Sequence, residues 1–190
     1  MRDRVASVIA IVLLALVAAV SYWYSRSLQS GAQGAETARP KVDADADTIT
    51  LIQFDSVGRA KYKLFSDRMT HYVQTDDVDL INPRLFSLRP DQPRVEAVAL
   101  LGHVENDGER IRLSGDVVLT RDSPGGQPPL RISTQRLLVL PDKDRYSTEL
   151  PVVVERGADS IRATGMDLDN ITQRVVFGSN VVDTIAPRRR

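Results

Sequence analysis

At 190 residues and 42% apolar content, the chain is long enough for one domain with a sizeable core, which excludes a wholly disordered protein. Its 25 Lys and Arg balance 25 Asp and Glu, so the basic surplus of a nucleic-acid-binding domain is missing. There is no cysteine, which removes disulfides, thiolate metal sites and a cysteine nucleophile together.

The first element is an apolar run. Residues 5–20 are apolar apart from Ser7, and no charge stands between Arg4 and Arg26. Extended through residues 21–24, the run can cross a hydrocarbon core of about 30 Å as a helix. Tyr22, Trp23 and Tyr24 fall where an interfacial aromatic belt would lie. Arg2 and Arg4 precede the run and Arg26 follows it nearly alone, so the positive-inside bias puts the N-terminus in the cytoplasm. A cleaved signal peptide is the competing reading, but its apolar core is shorter and a small-residue site follows at once. Here bulky aromatics occupy that place, and Ser30-Gly31-Ala32 is distant. A transmembrane anchor over residues 1–24 is therefore expected.

Residues 25–46, rich in Ser, Gly, Ala, Gln and Asp, read as a flexible tether. Asp43, Asp45 and Asp47 alternate at its end without the Gly and terminal Glu of a calcium loop, and read as solvated acidic residues.

From Thr48 onward no helical period is evident, and the expected domain spans residues 47–186. Its clearest strand is the stretch 111–121, where Ile111, Leu113, Val117 and Leu119 share one parity and Arg112, Ser114, Asp116 and Thr120 the other. Gly115 interrupts the apolar face, where a bend or a close approach is expected. Weaker copies give four strand–turn–strand units. They run from 60–64 through 75–77 to 80–86, from 94–97 through 105–108 to 113–118, from 131–134 through 141–144 to 149–154, and from 161–165 through 167–170 to 175–182. Breaks at Pro83, Gly115, Pro151 and Gly178 recur at roughly 30-residue intervals, a spacing typical of repeat architectures. Residues 123–129, Ser-Pro-Gly-Gly-Gln-Pro-Pro, can only be a loop. In the third unit Leu130, Ile132, Leu138, Leu140, Leu150, Val152 and Val154 share the apolar side; in the fourth, Val175, Phe177 and Val181 do. The expected fold is all-β, an open jelly roll of two facing antiparallel sheets with bare strand edges at its ends.

Chemistry is sparse. His71 and His103 are the only histidines, no serine lies in Gly-x-Ser-x-Gly, and no spacing supplies a base with an orienting partner or a third metal ligand. Both histidines read as surface residues. No catalytic residue, metal or cofactor is expected. Arg188-Arg189-Arg190 reads as a solvated basic tail, residues 187–190.

The order and spacing of several short patterns resemble the LptC family, the membrane-anchored periplasmic component of lipopolysaccharide export in Gram-negative bacteria. The patterns are Asp47-Thr48, Gly58-x-Ala60-x-Tyr62-x-Leu64, Asn82-Pro83-x-Leu85, Leu113-x-Gly115-x-Val117, Ile132-Ser133-Thr134, Ser147-x-Glu149 and Gly165, and they span essentially the whole chain. The Pro/Gly-rich loop at 124–129 and the abrupt Arg tail depart from the enteric pattern and leave the core pattern untouched. The resemblance implies a β-taco without catalysis. It implies an inner-membrane, single-pass protein with its domain in the periplasm, which takes lipopolysaccharide from an inner-membrane ABC transporter and passes it to an LptA-like periplasmic bridge protein of the same fold. On this reading Tyr62, Leu64, Leu113, Gly115, Val117, Leu119, Ile132, Leu138, Leu140, Val152, Val154, Phe177 and Val181 line the lipid groove. Ile49, Leu51, Val175, Val182 and Ile185 lie on partner-facing edges, the first pair toward the transporter and the others toward the bridge. An apolar groove with few polar groups suits a sliding acyl chain better than a small polar substrate. The alternative is a membrane-anchored adaptor with a closed sandwich core that binds only proteins.

Overall fold

The computed structural model describes residues 17–18, 20–22, 42–55, 57–90 and 92–185. Of the expected anchor, only Val17, Ala18, Val20, Ser21 and Tyr22 fall among these, and they are helical; the rest of residues 1–24 and the basic tail lie outside the described residues. No helix among the described residues is long and apolar enough to cross a membrane.

The domain is built of β1 (Val42–Phe54), β2 (Ala60–Tyr72), β3 (Asp77–Ile81), β4 (Arg84–Ser87), β5 (Val95–Val98), β6 (Leu101–Glu105), β7 (Arg110–Arg121), β8 (Leu130–Leu140), β9 (Arg145–Arg156), β10 (Asp159–Asp169) and β11 (Arg174–Thr184). β1 starts ahead of the expected boundary at Asp47, inside the segment expected as tether. Its alternating acids are strand residues with cross-strand partners: Arg68 Nε donates to Asp47 at 2.9 Å and Thr70 Oγ1 to Asp45 at 3.3 Å, while Asp43 meets His71 Nδ1 at 2.6 Å.

Among the described residues all pairings are antiparallel and form one 11-stranded sheet, in the order β11-β10-β9-β8-β7-β5-β4-β2-β3-β6, with β1 on β2 and β6 returning to β7. The long strands explain this connectivity. β2 pairs with β4 through residues 62–65 and with β3 through 68–72. β7 pairs with β6 through 110–114 and with β5 through 118–121. Each long strand therefore crosses from one half of the sheet to the other, and the two expected facing sheets are halves of one creased sheet. We call the half holding β3 and β6 the A half, and the half holding β4 and β5 the B half.

The crease is a line of irregular backbone. Left-handed φ values occur at Thr48 (55°), Asn82 (51°), Gly115 (79°), Asp116 (47°), Gly165 (82°) and Asn180 (53°). The register shifts lie at the same level, between Ser114 and Val117 of β7, Thr134 and Leu138 of β8, and Thr164 and Met166 of β10. The sequence breaks at Pro83, Gly115, Pro151 and Gly178 all sit here. At Gly178 the reason is close approach: a Cβ would stand 2.5 Å from the Thr164 carbonyl oxygen. Carbonyls loosened by the irregular backbone find hydroxyls. Ser66 Oγ donates to Arg68 O or Ile81 O, each at 2.7 Å, and Thr134 Oγ1 to Pro151 O at 3.0 Å.

The number of residues at the crease decides which side chains point inward. β7 passes from buried Leu113 to buried Val117 and β9 from Thr148 to Val152, an even step that keeps parity. β8 passes from Thr134 to Leu137 and β10 from Ala163 to Met166, an odd step that inverts it. Leu137 and Val139 are thus fully buried, and Leu138 and Leu140, expected inside, are half-exposed on the opposite face. Gly115 also departs from expectation. A side chain there would meet Leu100 at 3.0 Å, at the β5–β6 corner, and Leu100 is itself exposed, so this position packs against the corner and lines no groove. Val181 follows the Asn180 bulge and is 52% exposed.

A cavity forms when Leu137 is truncated, so Leu137→Ala is expected to cost about 2–5 kcal/mol. Leu138→Ala is expected to change stability by no more than about 0.5 kcal/mol. Urea denaturation of the two variants checks the register; equal losses would contradict it.

Candidate functional site

The inner faces are apolar because side chains alternate along each strand and the inward set is Val, Leu, Ile and aromatic. Along the sandwich this interior has three parts. In the middle, Leu113, Leu119, Ile132, Leu137 and Val139 have no exposed surface, and the halves pack directly on each other. At each end lies a cavity.

The first cavity, about 300 Å³, lies under β1 and β2. Leu51, Ile52, Tyr62, Leu64, Val78, Leu80, Val104 and Ile111 supply its apolar lining, and Gln53, His71, Asp76 and Asp107 its polar part. The second, about 380 Å³, lies under β10 and β11. Leu130, Val154, Ile161, Val175, Phe177 and Ile185 supply its apolar lining, with Arg156, Asp159, Ser160 and Asp183 beside them. Each cavity stops at an edge strand, since among the described residues β1 pairs with β2 alone and β11 with β10 alone. These strands leave large apolar side chains in solvent: Leu51, Ile52 and Phe54 on β1, and Val176, Val181 and Val182 on β11, with Ile185 just beyond.

The expected groove residues therefore divide. Tyr62 and Leu64 line the first cavity, Val154 and Phe177 the second. Leu113, Val117, Leu119, Ile132 and Val152 are buried in the core between them. Gly115, Leu138, Leu140 and Val181 line neither cavity. Of the expected edge residues, Leu51, Val175 and Ile185 also serve as cavity lining, Ile49 packs against the core, and Val182 is 59% exposed.

Sequence reasoning missed Leu137 and Val139. The unbroken run from Leu137 to Leu140 has no alternation to read, though the polar residues Thr134, Gln135 and Arg136 before it mark the break. It also missed a polar cluster at the rim opposite the crease, where Arg121, Asp144 and Asn170 are 5%, 2% and 0% exposed. Arg121 Nε donates to Asn170 Oδ1 at 2.7 Å, and Asn170 Nδ2 to Asp144 at 2.7 Å or Pro93 O at 3.1 Å. Tyr146 Oη donates to Asp144 at 2.8 Å. Beside them Arg89 donates to the carbonyl of Asp142 at 2.7 Å, and Lys61 pairs with Asp142. These residues are scattered over five segments, and the local sequence marks only those at 142–144 and 170, as turn residues.

Two groups in the lining of the first cavity have shifted pKa values. Burial, aided by the charge of Asp142, pushes the Tyr62 hydroxyl up to about 12. His71 bonds Asp43 at 2.6 Å and Asp76 at 2.8 Å, and these bonds, Asp43 first, raise its pKa above the ordinary 6.5. His103 joins a separate cluster with Asp79 at 2.7 Å, and Tyr72 donates to the same carboxylate at 2.9 Å. No group of three His, Cys, Asp or Glu among the described residues could hold a metal ion.

A family model of LptC-related lipopolysaccharide-assembly proteins matches residues 11–185. No match is found among curated protein sequences. Among solved structures, Pseudomonas aeruginosa LptH, the LptA homologous periplasmic component of the lipopolysaccharide transport device, superposes with a TM-score of 0.54 at 9% identity, covering 66% of this chain and 95% of that one. At that identity the likeness is one of fold.

Because the His71 pKa is raised on folding, its protonated form favours the folded state. That contribution is fully present below the ordinary value of 6.5 and is lost as pH rises through the raised folded value. His71→Ala is therefore expected to lower the denaturation midpoint at acidic pH and to match the unaltered protein more closely above neutrality. A gap that widens with pH would contradict the Asp43–His71–Asp76 arrangement.

Proposed function

The chain belongs to the LptC-related lipopolysaccharide-assembly family, whose role is lipopolysaccharide transport, and from this premise we propose that it is the inner-membrane-anchored component that receives lipopolysaccharide from an ABC transporter and passes it to an LptA-like periplasmic bridge. Residues 1–24 hold it in the membrane with the N-terminus in the cytoplasm, and the β domain stands in the periplasm. The observation that carries the reading is the pairing of an apolar cavity with a strand edge that is unpaired among the described residues, at each end of the sandwich. Apolar lining of this kind binds acyl chains at about 0.8 kcal/mol per buried methylene. The free N–H and C=O groups of an edge strand accept a strand from another chain, and a partner of the same fold continues both sheet and interior.

The work is binding and hand-over, with no bond made or broken. Under this reading the β1 end faces the transporter and the β11 end the bridge. The sugars and phosphates remain in water while the acyl chains lie between the halves. The solid packing of Leu113, Leu119, Ile132, Leu137 and Val139 favours the second reading, an adaptor that binds only proteins.

The first of two experiments separates these, and the second tests the polarity of the ends. A photoreactive residue at Leu51 or Phe177 is expected to capture lipopolysaccharide in cells, and the same probe at exposed Arg112 or Asp116 to capture none. Equal capture at all four positions, or none at any, would remove the interior lipid path. Deleting the chain from Arg174 onward removes β11. The shortened protein is expected to lose co-purification with the bridge and to keep the transporter, while loss of the transporter first would reverse the assigned polarity.

A further inference from the structure

The two cavities lie between the same inner faces, yet closed packing in the middle keeps them apart. On one side the halves are joined by the crease. On the other side they are joined by the polar rim cluster, which connects Lys61, Arg89, Pro93 and Arg121 of the B half to Pro141, Asp142, Asp144 and Asn170 of the A half.

This chemistry is unexpected for a seam that only has to hold. Well-packed apolar side chains of similar volume stabilise as well as a buried ionic network, and often better. The two kinds of seam differ when they part. An apolar seam exposes area that water penalises at about 25 cal/mol per Å². A polar seam regains hydrogen bonds from water, so its opened state is far less penalised. The cluster is also incompletely satisfied when closed. Arg121 Nη2 is buried and has no hydrogen-bond partner among the described residues, and burial together with the nearby charge of Arg156 pulls the guanidinium pKa down. The crease opposite is already built of left-handed and bulged backbone in strand after strand, which suits a hinge line.

Building on the transport reading above, we propose that the Arg121–Asn170–Asp144 cluster, with Arg89 and the Lys61–Asp142 pair, is a reversible strap across the rim, and that an acylated ligand moves from the cavity under β1 to the cavity under β11 only while the strap is parted. The core residues uncovered by parting, such as Leu119 and Leu137, are then covered by the ligand's acyl chains in place of the opposite half. Transport and closure thus use the same apolar surface. An empty domain is shut and water-tight, and a loaded one is open.

The chain has no native cysteine, so a Lys61→Cys/Asp142→Cys double variant of the full-length protein carries the only thiols. A short bis-methanethiosulfonate reagent locks the strap and dithiothreitol releases it. Lipopolysaccharide capture is read in membranes containing the transporter, with a photoreactive residue at Leu51 or at Phe177. Locking is expected to leave capture at Leu51 and to abolish capture at Phe177, and release to restore it. Equal capture at Phe177 in the locked and released protein would overturn the strap and leave the transport reading standing. Loss at both positions on locking would put the barrier ahead of the first cavity and likewise overturn the proposal. Absence of capture at both positions in the released protein would overturn the transport reading, and the strap with it.

Discussion

The bend shared by every long strand is the constraint on which the rest of this domain depends. A flat sheet of this width would present one apolar face to water. Folding it along a line across the strands lets that face cover itself. Where a bend takes left-handed backbone, as in β1, β7, β10 and β11, L-residues adopt it reluctantly, at a cost of order 1–3 kcal/mol where the residue is not glycine. The chain meets this with Gly115 and Gly165, and with Asn82, Asp116 and Asn180, whose short polar side chains tolerate the left-handed region. Ser66 and Thr134 supply hydroxyls to carbonyls beside the bends. The bends are therefore built into the sheet, and the ladders resume on both sides of them.

The odd and even steps at the crease follow from this constraint. Strands running from the B half to the A half, β8 and β10, cross with one fewer residue between inward positions than β7 and β9, which run the other way. The inward set stays apolar on both sides only because the sequence changes phase with the backbone. Leu137 and Val139 belong to the core although Leu138 and Leu140 look equivalent in the sequence.

Stabilisation and attachment are separated in space. The outer face carries exposed ion pairs, such as Arg145 with Asp167 at 2.7 Å and Arg112 with Glu105, each contributing at most about 1 kcal/mol. Their value is solubility, since they keep a broad β surface charged. The edge strands are different: β1 and β11 expose Ile52, Phe54, Val181 and Val182 beside backbone that is unpaired among the described residues. In a protein working alone such edges are aggregation hazards. Under the proposed function they are where a neighbouring chain would join, beside the cavities that it would extend.

The all-β character, the strand-turn-strand repeats, the break points at Pro83, Gly115, Pro151 and Gly178, and the apolar faces of β7 and β9 are all legible in the sequence. These are local properties, set by alternation and by residues that cannot continue a regular strand. The sequence also carried the family likeness, through short patterns whose order matters more than any one of them. Phase and distance, by contrast, arise only when the strands pair and the sheet folds. The parity of β8 depends on a bulge whose residue count is fixed by pairing with β7 and β9, and no pattern within Leu137-Leu138-Val139-Leu140 reveals it. The acidic alternation at Asp43, Asp45 and Asp47 reads as tether until β2 brings Arg68, Thr70 and His71 beside it. Arg121, Asp144 and Asn170 come from three separate segments, and they become a cluster only when the crease folds one half of the sheet onto the other.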